Sequence, residues 1–140
     1  MITDRENTFF DNLLPSASAT PFGDVVKITN RQRNPDLVAY LQAETAVNNA
    51  TSLRFQFVSS ADAALGTPNI IFDTGVVTLA NFNAAQRYVA SVVAVPEAHQ
   101  YLGWIYILAG TAPTLGGITG GIVEVATLES LPRPAYWTGR

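Results

Sequence analysis

No cysteine occurs in this sequence, which excludes disulfides and thiolate metal sites. The chain has one histidine, His99, and a single imidazole with no Cys or second His beside it does not make a transition-metal cage. Charge is scarce as well. Charged residues make up 14% of the chain, against roughly 25% in an average soluble domain, so much of the surface is uncharged and easily buried against a partner. The eight Lys and Arg are outnumbered by eleven Asp and Glu, for a net charge of -3. That balance argues against nucleic acid, whose binding rests on a basic excess over phosphate. No apolar run reaches the roughly 18 residues of a membrane span. The start, Met1 to Asn7, is polar and charged, unlike the apolar centre of a signal peptide. A soluble protein made in a cytoplasm is expected.

What is present is period-two alternation. At 140 residues the chain suits a single domain, and its mean hydropathy of +0.18 allows a real core. In Thr51 to Val58, Leu53, Phe55 and Phe57 share one face while Arg54 and Gln56 share the other, the pattern of a half-buried strand. Leu37 to Glu44 fits a helix capped by Asp36 and fits a strand equally well. Further strands are expected over Asp24 to Ile28, Asn69 to Phe72, Val76 to Leu79, Arg87 to Val95, Tyr101 to Leu108 and Ile118 to Val125. The run 101–108 is apolar on both faces, which suits a central strand or an interface. Ala80 to Gln86 is the weakest helix candidate, being short with two Asn. About eight short strands punctuated by Gly, Pro, Asn and Asp point to an all-β sandwich or barrel. The expected core is Leu53, Phe55, Phe57, Ile71, Val77, Val89, Ile105, Ile107 and Val123.

Both ends differ from the middle. Residues 1–16 read as an N-terminal arm, polar except for Phe9-Phe10 and Leu13-Leu14, and 17–128 as the sandwich. Residues 129–140 read as an extended C-terminal arm, because Pro132 and Pro134 forbid a helix or a central strand there. The candidate partner-binding residues are Phe9 and Phe10 in the first arm, Arg31 and Arg33 in the basic loop 27–33, and Arg133, Tyr136 and Trp137 in the second arm. Arginine forks match carboxylates, and large amphipathic aromatics are frequent interface anchors.

Catalytic constellations are not found. Ser59, Ser60 or Ser91 could in arithmetic join His99, but no Gly-x-Ser-x-Gly elbow accompanies them. Asp62 with its neighbouring hydroxyls falls short of a calcium shell and suits a turn cap. Gly116 to Gly121 lacks the Lys and the helix of a phosphate cradle and reads as a tight turn followed by a bulge or a close backbone contact within a strand. No catalytic residue, cofactor or metal is expected.

Three segments carry a family likeness: Met1 to Asp11, with its polar start leading to aromatics and an acid; Leu53 to Ala64, a strand ending in a Ser-x-Asp turn; and Gln100 to Tyr106 through Gly116 to Val123, a closing hairpin. Together they resemble the small jelly-roll cement proteins of tailed bacteriophages, of the type on Bordetella-phage capsids. The resemblance spans residue 1 to about 127 and rests on structural motifs, with no counterpart for the arm 129–140. It implies that Leu37 to Glu44 is a strand and that the fold is a jelly-roll sandwich. It also implies a homodimer on the outer capsid surface of the virion, clamping neighbouring major capsid protein subunits. The rival reading is a tail or receptor-binding β-module of the carbohydrate-binding type, which needs an exposed aromatic platform.

Overall fold

A computed structural model of the chain describes residues 8–27, 37–85, 87–91 and 99–124. Within them lie nine strands and one short helix: β1 (Thr8–Leu13), β2 (Val26–Lys27), β3 (Leu37–Thr45), β4 (Ala50–Ser60), β5 (Asn69–Asp73), β6 (Val77–Thr78), α1 (Leu79–Ala85), β7 (Arg87–Ser91), β8 (Tyr101–Gly110) and β9 (Gly117–Glu124). The fold is all-β and sandwich-like. One sheet runs β1-β9-β3-β7 and the other β2-β8-β4-β5, with β6 following β5 along the same side of β4. Every strand pairing is antiparallel.

Alternation decides which side chains meet between the sheets. Leu53, Phe55 and Phe57 of β4 point inward with Leu102, Trp104 and Tyr106 of β8, against Ala39, Leu41 and Ala43 of β3 and Ile118 and Ile122 of β9. Phe55 is the hub of this core. Its ring stacks on Tyr106 at 4.7 Å and on Phe82 at 5.6 Å, and it meets Phe22 and Trp104 edge-on. Tyr106 donates its hydroxyl to the Pro15 carbonyl at 3.0 Å, and burial pushes its phenol up to about 12.

Three parts of the expected core are corrected. In β8 the inward face is the even one, so Ile105 is half-buried and Ile107 is 41% exposed. In β7 Tyr88 and Ala90 face in, and Val89 is 40% exposed. Ile71 and Val77 pack at the core's edge only. The Val123 side chain lies outside the described residues.

The expected N-terminal arm is also corrected over its described part, because residues 8–13 are the edge strand β1, paired to β9. Phe9 and Phe10 are both buried in the core. Consecutive residues on a regular strand face opposite ways. Here the register shifts between Thr8 and Phe10 and again before Leu13, as a bulge does, and both rings turn inward. Phe9 meets Phe57 and Phe10 meets Phe22.

The helix expected to be weak does form, and its anchors are tertiary. Thr78 Oγ1 accepts the Asn81 N–H at its start. Phe82 is buried between Phe55 and Tyr88. Asn83 clamps the backbone of Val47 with both its amide oxygen and its nitrogen. A seven-residue helix has little stability of its own, so these contacts hold it.

Candidate interaction surface

The outward face of the β2-β8-β4-β5 sheet is built by the residues that alternation excludes from the core. Register places Arg54 beside Ile107, Gln56 beside Ile105, and Gln56 beside Asp73 on its other flank. Val58 sits between Gly103 and Ile70, and Ser52 lies between Ala109 and Thr78. Directly opposed residues share a face, so Arg54, Gln56 and Asp73 stand among aliphatic side chains. Ile70 is 52% exposed and Val76, just before the inward Val77, is 73% exposed.

Asp73 is saturated with donors. Arg54 grips it through Nε at 3.1 Å and through Nη2, Gln56 Nε2 reaches it at 3.1 Å, and the Gly75 N–H at 2.7 Å. Gly75 fits this turn because its φ is +70°, which a side chain rarely tolerates. The Arg54 hydrogen bond, with further help from Gln56 and Gly75, holds the Asp73 carboxyl well below the usual carboxylate range. The same partner raises Arg54. The face thus carries a fixed, neutralised ion pair ringed by branched aliphatics, a composition close to that of an interface centre.

A lowered carboxyl stabilises the fold above its unfolded value and loses that stabilisation as pH falls toward the folded one. Acidification below about pH 4 should therefore remove the contribution of Asp73. In Asp73→Asn the thermal midpoint should fall less between pH 7 and pH 3 than in the parent. Its cost at pH 7 should be about 1 kcal/mol or less, since Arg54 remains partly in water.

Beside this patch the loop after β4 folds back on the sheet. Leu65 is buried directly over Gly103, where a Cβ would come within 2.8 Å of its Cδ1. The loop is held from within: Asp62 Oδ1 accepts the N–H groups of Ala64 and Gly66, and Ser60 Oγ donates to the Gly66 carbonyl. Asp62 is thus a turn cap.

Ser59 and His99 are brought together, with Ser59 Oγ 2.8 Å from His99 Nδ1. The pair does not have the form of a nucleophile and base open to substrate. Ser59 is fully buried, and a hydroxyl must be reachable to attack. The contact ties the start of β8 to the end of β4, beside the Gln100 N–H bond to the Ser60 carbonyl.

Of the candidate partner-binding residues, Phe9 and Phe10 are corrected to core positions. Arg31, Arg33, Arg133, Tyr136 and Trp137 lie outside the described residues. Arg54, Gln56 and Asp73 were missed as a site. The sequence signal for the first two is their shared polar face, but nothing in it brings Asp73 to them. No protein-family model matches the chain, and no curated protein matches its sequence.

Proposed function

We propose that this chain is a non-catalytic decoration (cement) protein of a tailed bacteriophage, which binds the outer capsid surface and clamps neighbouring major capsid protein subunits. The observation that carries this reading is the outward sheet face, where a neutralised Arg54–Asp73 pair lies among exposed Ile70, Val76 and Ile107. Such a face suits burial against protein better than it suits chemistry. The strand order supports reading the sandwich as a jelly roll. β1-β9-β3-β7 faces β2-β8-β4-β5, so successive strands pass from sheet to sheet except at the β4–β5–β6 run. An acidic chain is repelled by packaged DNA and favours the outer face. Arg31 and Arg33 are proposed to meet capsid carboxylates, and the arm 129–140 to reach a neighbour through Tyr136 and Trp137.

The carbohydrate-binding alternative is less well supported. Among the described residues the exposed large hydrophobics are all Leu, Ile or Val, and sugar stacking needs an aromatic face. Antibody-labelled negative-stain microscopy of virions tests the choice. Label on the heads is expected, and label confined to tails would overturn the proposal.

A further inference from the structure

The outward face of the other sheet, β1-β9-β3-β7, is closed to solvent. On β3 the residues that alternate with the inward Ala39, Leu41 and Ala43 are Val38, Tyr40 and Gln42, and on β9 Thr119 stands beside Gln42 on the same side. The open face of an antiparallel sheet normally meets water. Here Tyr40 is 0%, Gln42 1% and Thr119 2% exposed. Neighbours within the sheet do not account for this. Tyr40 is flanked by Gly121 on β9, which has no side chain, and by Val89 on β7, itself 40% exposed. The hydrogen bonds along the face run within the sheet as well: Arg87 Nε donates to Gln42 Oε1 at 2.8 Å, Gln42 Nε2 to Glu44 Oε1 at 2.7 Å, and the Asn12 N–H to Thr119 Oγ1 at 3.0 Å. They satisfy polar groups but put nothing above a tyrosine ring. The strip floored by Gly121 and bordered by Tyr40 is therefore covered from above.

We infer that the cover is the chain's own C-terminal segment, residues 125–140, folded back over the outward face of β1-β9-β3-β7. Connectivity supports this. β9 ends at Glu124, opposite Leu37 at the start of β3, so the segment leaves the sheet at the rim of that face, close to Tyr40 and Gly121. The length of β9 is about 25 Å at roughly 3.3 Å per residue, about half of what the segment spans when extended. Composition supports it too. Leu128, Leu131, Tyr136 and Trp137 supply apolar surface, and only Glu129, Arg133 and Arg140 are charged. Pro132 and Pro134 favour an extended run that lies on a sheet without lengthening it. The other stretches of chain lack that freedom or that character. Residues 28–36 join β2 to β3 and residues 92–98 lead from β7 toward β8, so both must cross between the sheets. Residues 1–7 are free at one end but hold Asp4, Arg5 and Glu6, whose burial against a tyrosine is costly. A strap so placed ties β9 to the strands on either side of it.

The inference concerns the free chain and does not rest on capsid binding; an arm that reaches a neighbour on the capsid must first leave this face. The test uses the full chain, whose lack of cysteine makes introduced thiols unique. Val89→Cys, beside Tyr40, is combined in turn with Ala126→Cys, Ser130→Cys or Ala135→Cys. The same three are combined with Ile70→Cys, which is exposed on the outward face of the opposite sheet. Each double variant is treated in dilute solution with a two-carbon bismaleimide. At least one Val89 pair should close within a single chain, at least about fivefold more than its Ile70 counterpart, and keep the 15.0 kDa chain mass plus linker. Equal linking to the two faces would overturn the inference, and so would linked products only of double mass, which assign the arm to a neighbouring copy. Replacing Leu128, Leu131, Tyr136 and Trp137 together by Ser strips the arm of its apolar surface and leaves the sheets untouched. The thermal midpoint should then fall by about 3 °C or more, and an unchanged midpoint would likewise overturn the strap.

Discussion

Phe55→Ala should lower the unfolding free energy by about 3–5 kcal/mol, measured by denaturant or thermal unfolding. Deleting a buried ring removes its transfer free energy and leaves a cavity whose lining relaxes only in part. At this position the lining is aromatic. Tyr106 and Phe82 stack on Phe55 while Phe22 and Trp104 meet its edge, and aromatic pairs add stabilisation beyond the area they bury. Phe82 belongs to α1, so the variant should also loosen the helix that rests on this ring. Phe55→Leu, which keeps most of the volume, should recover more than half of the loss. A cost under about 1 kcal/mol would mean that the ring is not the hub of the core.

Gly120→Ala should also be damaging, by somewhat less and for the opposite reason. A Cβ there would stand 2.8 Å from the Phe10 ring and 2.9 Å from the Tyr40 carbonyl oxygen. The ring is buried in its bulge and the carbonyl belongs to the neighbouring strand, so neither yields without moving β1 or β3 away from β9. Overpacking of this kind costs roughly 1–3 kcal/mol, occasionally more. Gly75→Ala is the useful contrast: its Cβ meets nothing within 4 Å, so it tests backbone strain at φ +70° without crowding. Thermal midpoints of the two variants separate the effects. Gly120→Ala should fall further, and it should regain stability when Phe10 is reduced to Leu.

How far the sequence could be read follows from how its faces are patterned. β4 was legible because Leu53, Phe55 and Phe57 alternate with polar Arg54 and Gln56, so only one face could be inward. β8 was not, since Leu102, Trp104 and Tyr106 alternate with Ile105 and Ile107. An apolar residue on each side leaves the choice to the aromatic neighbours from other strands. The same even-handedness left Ile105 and Ile107 outside, where they became part of the candidate surface. Phe9-Phe10 misled because a bulge suspends the two-residue period, and the pair reads as a sticky arm. Asp73 reaches Arg54 only through the pairing of β5 with β4, which no local pattern encodes.

The position of β9 has a consequence for how the chain is made. It lies between β1 and β3 and pairs with both, with Thr8 opposite Gly121 and Tyr40 opposite the same glycine. During synthesis β1 and β3 therefore wait, unable to join into one sheet, until residues 117–124 have emerged. Pairings this distant along the chain carry a large closure entropy before any is repaid, and folds dominated by them form in milliseconds to seconds rather than microseconds. A nascent chain stopped ahead of β9 holds two strand edges with their intended neighbour missing, the condition in which edges pair with other chains. β3 can pair with β7 beforehand, but the sheet is completed late, by the strand made after all its neighbours, which closes it from the middle.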